Sequence, residues 1–543
     1  MGNKFKTDLC NDKMTFNECE LAILRHAVDE TTEVQGKQIV HNEDVQKMIS
    51  ILENFLIRKK QICYGGTAIN NILPKSVQFY NKDVEIPDYD FFSKHALEDA
   101  KELADIYYNE GFSDVEAKSG VHKGTYKVFV NFIPIADITY MHPEIYDNLE
   151  KEAITIMGIR YCPPNYLRMS MYLELSRPAG DVTRWEKVLK RIVLLNKHYP
   201  LKSGLDCKKV SSELQDQTIK EDVFMTIKNC FIEQEVVFFG GYSAYLYSRY
   251  MPKNIKRLIN KVPQFDVLAK DPDKCALIVK ERLFDSGVKN VEIIEHEEIE
   301  EIIPKHFEIK VNKKSHAFVY EPIACHNYNT VEINGEKVKV ATIDTMMSFY
   351  LAFIYTNNEH YNKERILCLA KYLFEVEQHN RLEQTGVLKR FNSTCYGTQK
   401  GLSSIRAEKT KMFKKLHKKK GTKEYEEWFL KYVPEVLSNR EKVEKRKKID
   451  KILKKEEEEE EEEEEEYKEE EEEEGEEEYT KESIEKIPFK KFSRFYKQKK
   501  ERKERKEKKK QSRNQKTEKK QRTKKNRFFE NWFNRKTRKG FLF

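Results

Sequence analysis

Long apolar runs are missing from this chain of 543 residues. No stretch approaches the ~18 consecutive apolar residues of a membrane span. The first residues carry no apolar core of the kind that opens a secretory signal. A membrane is therefore not among the expected partners. Met1-Gly2 opens like a myristoylation site, but Lys6 stands where that motif requires Ser or Thr. Paired cysteines are missing too. The ten cysteines fall singly between Cys10 and Cys395, with no Cys-x-x-Cys. That scatter speaks against a zinc ribbon or a disulfide framework and for a reducing compartment.

Apolar content runs out from about Lys442. Residues 456–480 hold 20 Glu and one Lys, and residues 481–543 hold 27 Lys and Arg against 7 Glu. The two blocks nearly cancel, so the net charge of +8 describes neither of them. Such a composition buries too little apolar surface to offset chain entropy. Residues 442–543 therefore read as a disordered, charged C-terminal tail with a Glu block and a basic end. The basic end interleaves Phe492, Phe495, Tyr496, Phe528, Phe529, Trp532 and Phe533 with its Lys and Arg. That mixture suits a nucleic-acid-binding arm, and a purely solubilising tail fits it equally well. The chain as a whole is long enough for two or three domains and a sizeable core.

The most informative stretch is Tyr64-Gly65-Gly66-Thr67-Ala68-Ile69-Asn70, followed by Pro87-Asp88-Tyr89-Asp90-Phe91-Phe92. Two glycines, a hydroxyl residue and an apolar helical run predict a strand-to-helix turn. Gly65 and Gly66 let the backbone approach a ligand. The free N–H groups of the helix start and the Thr67 hydroxyl then offer a seat for a triphosphate. Asp88 and Asp90 are two apart in an aromatic strand, so both carboxylates point the same way. Carboxylates beside a phosphate cradle make a Mg²⁺-dependent phosphoryl- or nucleotidyl-transfer site.

Around this centre the periodicity predicts a helix over 42–60, with Asn42 or Asp44 as its cap. Further helices are predicted over 95–110, closed by Gly111, and over 165–176 and 183–198. Residues 1–40 are polar and read as partly irregular. Residues 126–140 read as one extended apolar segment, with Pro134 marking a bulge or break. Asp137 is the charged exception there. It is either a solvated residue of an edge strand or the third carboxylate of the metal site. On the 183–198 helix, Lys187 and Arg191 share a face. One of them, taken as Lys187, reaches the triphosphate, unless this is simply a solvated basic face.

The plan then repeats. Phe239-Gly240-Gly241-Tyr242-Ser243 echoes the first glycine turn, and Pro263-Gln264-Phe265-Asp266 echoes Pro87-Asp88-Tyr89-Asp90. A predicted 273–286 helix ends at Gly287. The stretch from Thr345 to Leu351 echoes the one from Leu167 to Leu173. Repetition at a near-constant offset indicates a duplicated α/β (α+β) fold. Gln264 replaces one carboxylate, and no Asp occurs around Ala317-Phe318-Val319-Tyr320, so only the first copy can build the metal site. The expected divisions are a helical N-terminal segment over 1–60, a catalytic domain over 61–200 and a degenerate copy over 201–385. A Lys-rich, partly helical extension over 386–441 and the tail complete the chain.

The run from Tyr64 to Pro74, the run from Ile86 to Phe92 and Arg184-Trp185-Glu186-Lys187-Val188-Leu189-Lys190-Arg191-Ile192 carry a resemblance. With Asp137, they resemble the nucleotidyltransferase superfamily. Within it, they resemble the poly(A) polymerase catalytic subunits of large cytoplasmic DNA viruses, mimivirus-like and more distantly poxvirus-like, over roughly residues 40–380. That resemblance implies tandem nucleotidyltransferase-like domains, the first active and the second degenerate. It implies addition of AMP from ATP to an RNA 3′ end. Two Mg²⁺ (or Mn²⁺) ions would be held by Asp88, Asp90 and Asp137. It further implies a homodimer or a separate viral processivity subunit, and action in the host cytoplasm or packaging in the virion. A uridylyl- or CCA-adding enzyme, an oligoadenylate synthase and an inactive RNA-binding scaffold are the alternatives.

Overall fold

Short apolar strands and amphipathic helices alternate from residue 43 onward, and the computed structural model assembles them into two mixed sheets. It describes residues 7–202, 207, 220–251, 264–300, 302–358 and 361–434, which belong to one compact unit ending at Pro434. The Glu block and basic tail lie outside the described residues, as does Pro263 of the repeated motif.

The first sheet contains β1 (Ile62–Tyr64), β2 (Tyr89–Ser93), β3 (Val115–Ser119), β4 (Thr125–Val130), β5 (Ile133–Tyr140), β6 (Ile154–Ile156) and β7 (Ile159–Tyr161). The second contains β8 (Val237–Phe238), β9 (Phe265–Leu268), β10 (Val291–His296), β11 (His306–Val311), β12 (Lys314–Tyr320), β13 (His326–Ile333), β14 (Glu336–Ala341) and β15 (Cys395–Tyr396). The short β16 (Lys431–Tyr432) joins the first sheet at its edge. The orders are β16-β3-β4-β5-β2-β1-β7-β6 and β10-β11-β12-β9-β8-β14-β13-β15. Leaving out β16 and β15, the two orders match strand for strand. Pair directions match as well: β1–β2 and β8–β9 are antiparallel, whereas β2–β5 and β9–β12 are parallel. The duplication read from the sequence is a duplication of topology.

Local chemistry explains the boundaries. Asn42 accepts from the Asp44 and Val45 N–H groups and starts the Glu43–Lys59 helix, whose Val45, Met48, Leu52, Phe55 and Leu56 are buried. Gly111 and Gly287, at φ of +97° and +89°, sit just beyond the Ala96–Asn109 and Pro272–Asp285 helices, in the left-handed region that glycine enters without strain. The Pro164–Leu175 and Ile343–Phe353 helices pack on one another and join the copies. They are the two stretches whose sequences echo. Beside them Arg390 is buried in a bidentate pair with Asp344 at 2.8 and 2.5 Å, and it also donates to Glu377 at 2.7 Å. Glu377 in turn accepts from Tyr172, which lies on the other copy's helix, at 2.8 Å.

Three expectations change. Residues 16–40 form a continuous helix, Phe16–Val40, started by a capping box between Thr15 and Glu18. Its Leu24, Val28 and Val34 stay exposed, so capping and propensity, rather than an apolar face, shape it. Residues 126–140 form a hairpin, not one segment. Asn131 and Phe132, both at positive φ, make its two-residue turn, and the pairing shifts opposite Pro134, where the bulge was expected. Six of the ten cysteines are paired, as Cys10–Cys19, Cys207–Cys368 and Cys325–Cys395. Their separations of 9, 161 and 70 residues hide the pairs from any reading of local spacing. The expectation against a disulfide framework is thereby overturned, and the cysteines no longer argue for a reducing compartment.

Candidate active site

β1 ends at Tyr64, and the Gly65–Ile72 helix begins at once. Gly65 has φ +72°, and a Cβ there would lie 2.6 Å from Asp90 Oδ2. Backbone geometry and the neighbouring carboxylate therefore both demand glycine. A Cβ on Gly66 would lie 2.5 Å from the Tyr80 hydroxyl and 3.0 and 3.1 Å from the two terminal nitrogens of Arg191. The first N–H groups of this helix have no partner within it. The Thr67 hydroxyl donates to Asp88 O at 2.6 Å. Its proton is thus committed to fastening the segment that leads into β2 to the glycine turn, a different task from the phosphate contact expected of it.

Asp90 on β2 stands directly opposite Asp137 on the parallel β5. Asp88 precedes Asp90 by two. The structure thus brings all three expected carboxylates together. Lys127, opposite Asp137 on β4, reaches Asp137 Oδ2 at 2.5 Å. Burial, then the charges of Asp88 and Asp137, push Asp90 up to about 7, against the pull of Lys127 and Arg184. Burial and Asp137 also push Asp88 upward, and Lys127 opposes them.

Among the described residues no three His, Cys, Asp or Glu side chains close into a metal cage. The three aspartates form an open set of hard oxygen donors. Mg²⁺ is commonly held by one or two carboxylates, with phosphate and water completing the octahedron. Burial and the neighbouring carboxylates raise Asp90, so the site is short of positive charge, which a bound divalent cation would supply. The donor set therefore fits such a cation.

The cation at the glycine turn is Arg191, not Lys187. Arg191 Nη2 donates to the Tyr80 hydroxyl at 2.6 Å, and its guanidinium lies 4.9 Å from the Phe79 ring centre. Lys187, one turn earlier on the Trp185–His198 helix, is exposed. Sequence reading also missed Asn70, Tyr80 and Lys127. Asn70 is buried, and its Oδ1 accepts from the Phe79 and Tyr80 N–H groups at 2.7 and 2.9 Å, which fixes the loop carrying Tyr80. An amide inside the apolar run Ala68-Ile69-Asn70 was the available signal. Tyr80 and Lys127 had none, because a cross-strand or cross-loop contact leaves no mark in local spacing.

In the second copy Asp266 takes the place of Asp90, Gln264 that of Asp88 and Phe318 that of Asp137. Gln264 Nε2 donates to Ser315 O at 2.8 Å. Asp266 is hydrogen-bonded by the Gly241 N–H and the Tyr320 hydroxyl. Burial pushes it up to about 6, with Arg365 opposing. The glycine turn here is occupied by the protein's own carboxylate.

Comparison with known proteins points the same way. Residues 50–181 match the family model of the poly(A) polymerase catalytic subunit. A protein named as such a subunit in African swine fever virus (isolate Tick/Malawi/Lil 20-1/1983) is 34% identical over 174 residues, 31% of this chain and 36% of that protein. One from Acanthamoeba polyphaga mimivirus is 29% identical over 229 residues, 39% of this chain and 38% of that protein. The match thus spans little more than a third of these relatives' length. The crystal structure of the Megavirus polyadenylate synthase superposes with a TM-score of 0.64 at 20% identity, over 80% of this chain and 88% of that one. The first copy of this chain is therefore similar in sequence to the viral poly(A) polymerase catalytic-subunit family, and the described fold as a whole is similar to the Megavirus polyadenylate synthase.

Proposed function

We propose that this protein is a template-independent poly(A) polymerase that adds AMP from ATP to the 3′ end of RNA. The observation that carries the reading is the register of Asp90 against Asp137, with Asp88 beside them and a glycine turn and Arg191 on one flank. Asp88, Asp90 and Asp137 would hold divalent cations. When bound, these supply charge neutralisation at the α-phosphate and lower the pKa of the attacking hydroxyl.

The chain's own residues do the rest. Gly65 and Gly66 leave room for phosphate oxygens against the first N–H groups of the helix. Arg191, held by Tyr80, neutralises the charge that builds on the leaving pyrophosphate. Asp137 accepts the proton of the 3′-hydroxyl as that oxygen bonds to the α-phosphorus and the bond to pyrophosphate breaks. Lys127 orients Asp137 through their ion pair. Thr67 keeps Asp88 and the segment leading into β2 in place.

The relatives are named catalytic subunits, and a separate processivity subunit belongs to the proposal, with self-association as the alternative. The proposed place of action is the host cytoplasm. The test is incubation of the purified protein with a labelled RNA primer, Mg²⁺ or Mn²⁺ and one nucleoside triphosphate at a time. Extension with ATP alone supports the proposal. Extension with UTP or CTP, or oligoadenylates made without primer, points to the other transferases. No product from any triphosphate, with either metal, leaves an inactive scaffold.

A further inference from the structure

The face of the first sheet that carries Asp90 carries more than carboxylates. Residues directly opposite one another on neighbouring strands share a face. Asp90 on β2 is opposite Asp137 on β5, Asp137 is opposite Lys127 on β4, Lys127 is opposite Lys118 on β3, and Lys118 is opposite Lys431 on β16. One straight row therefore passes from two carboxylates into three lysines. At ~4.8 Å between strands, the lysines reach about 15 Å from Asp137. Lys127 is engaged by Asp137, and Lys118 Nζ sits 3.3 Å from Glu116 Oε2 and 4.3 Å from the Phe129 ring centre.

The second copy provides an internal control. Its matching row reads Asp266, Phe318, Glu308, Ile294. It contains no lysine, and among the described residues β10 is the outermost strand, with nothing paired beyond it. The lysine row is therefore not a by-product of the fold. Its last member arrives only because the C-terminal extension returns to pair β16 with β3.

We propose that Lys127, Lys118 and Lys431 form the track for the phosphodiester backbone of the single-stranded RNA whose 3′ end lies at Asp137. This rests on the polymerase reading and adds to it the path of the primer. The triphosphate belongs to the opposite flank. Asp90 has the glycine turn and Arg191 on its β1 side and the lysines on its β5 side, so the two anionic substrates approach the carboxylates from two directions. Lysines are point charges that contact phosphate without reading bases. The track therefore accepts any sequence, as repeated addition to a growing end requires.

The test uses the full chain and a 5′-labelled single-stranded RNA with a free 3′-hydroxyl. Affinity is measured without ATP across a salt series, and KM is measured for RNA and ATP separately. Lys118→Ala and Lys431→Ala should each weaken RNA binding roughly threefold to tenfold at low salt and reduce the salt slope by about 0.7. Lys118→Arg should keep both near wild type. KM for ATP, and kcat at saturating RNA, should stay within twofold. Unchanged RNA affinity and salt slope in the Lys118→Ala/Lys431→Ala double variant would overturn the track, as would a rise confined to the KM for ATP. If the wild-type protein adds no nucleotide yet the two variants still lose RNA affinity, the polymerase reading falls and the track stands.

Discussion

The two copies share a strand order, a pair of glycines and an aspartate at the same register position, and they put these parts to different ends. In the first copy Gly65 makes room for the Asp90 carboxylate, Asp137 stands opposite, and Arg191 reaches the turn. In the second, the Gly241 N–H and Tyr320 close on Asp266, and Phe318 stands where Asp137 would be. The shared glycines thus belong to the geometry of the turn. On the proposed reading, chemistry depends on three carboxylates and on a cation at the turn, which the second copy does not match at Gln264 and Phe318. A glycine pair followed by an aspartate strand is therefore weak testimony to activity, and the proposed function gives that weight to the partner across the parallel strand.

Breaking the comparison at the carboxylates should have the largest effect. Asp90→Asn should cut AMP incorporation at least ~1,000-fold, since losing a metal removes several kcal/mol of transition-state stabilisation. Asp88→Ala and Asp137→Ala should follow it. Asp266→Asn should stay within about threefold of wild type, or under 1 kcal/mol in barrier. Single-nucleotide addition by the folded variants decides this, and an inactive Asp266→Asn would abolish the distinction between the copies.

The glycines come next. Gly65→Ala puts a methyl against Asp90 Oδ2 at a positive φ, so activity should fall on the order of 100-fold through misplacement of that carboxylate. A Cβ on Gly240 would overlap the Asp266 carboxylate. Gly240→Ala should therefore lower the melting temperature more than it lowers kcat. Rates and melting curves of the two variants, measured in parallel, check the contrast.

The cations sharpen the comparison further. Arg191→Ala should lower kcat/KM for ATP roughly tenfold or more, chiefly through kcat, because a charged hydrogen bond is worth about 1.5–3 kcal/mol. Lys187→Ala should change kcat/KM for ATP less than twofold. Steady-state kinetics at saturating RNA separates them.

The smallest effect concerns pH. Asp266 is raised in the fold from the usual 3.8 to about 6. Its protonated form is therefore favoured, and the stability this brings is complete below pH 4 and lost as pH rises through 6. Asp266→Asn lacks that loss. Its stability relative to wild type should rise between pH 4 and pH 7, by about 3 kcal/mol at most. Urea denaturation at the two pH values reads the difference, and a flat or opposite trend would show that Asp266 is held charged.

Much of this was legible because it is local. The Glu43–Lys59 helix follows from apolar spacing and an Asn cap, and Gly111 and Gly287 mark helix ends because they leave the right-handed region. Asp88, Asp90 and Asp137 stood out as charges inside apolar strands. What stayed hidden depends on contacts between distant segments. The Phe132 side chain masked the hairpin turn at 131–132, where a glycine would have announced it. Lys187 and Arg191 lie on one helix face, so spacing could not choose between them. The packing of the Trp185–His198 helix against Pro164–Leu175 sets which turn meets Gly66.

By itself the sequence determined the strand-to-helix turn, the three carboxylates, the duplication and the absence of two of those carboxylates from the second copy. Each is a matter of residue type at short range, where backbone sterics and side-chain period act. Tertiary structure alone decided that Asp90 meets Asp137 in register, that Arg191 serves the turn, that six cysteines pair and that β16 carries Lys431 to the row of lysines. Charge acts through space rather than along the chain, falling with distance and rising with burial. Residues 300 positions apart therefore become neighbours in one electrostatic row only after the sheet has closed.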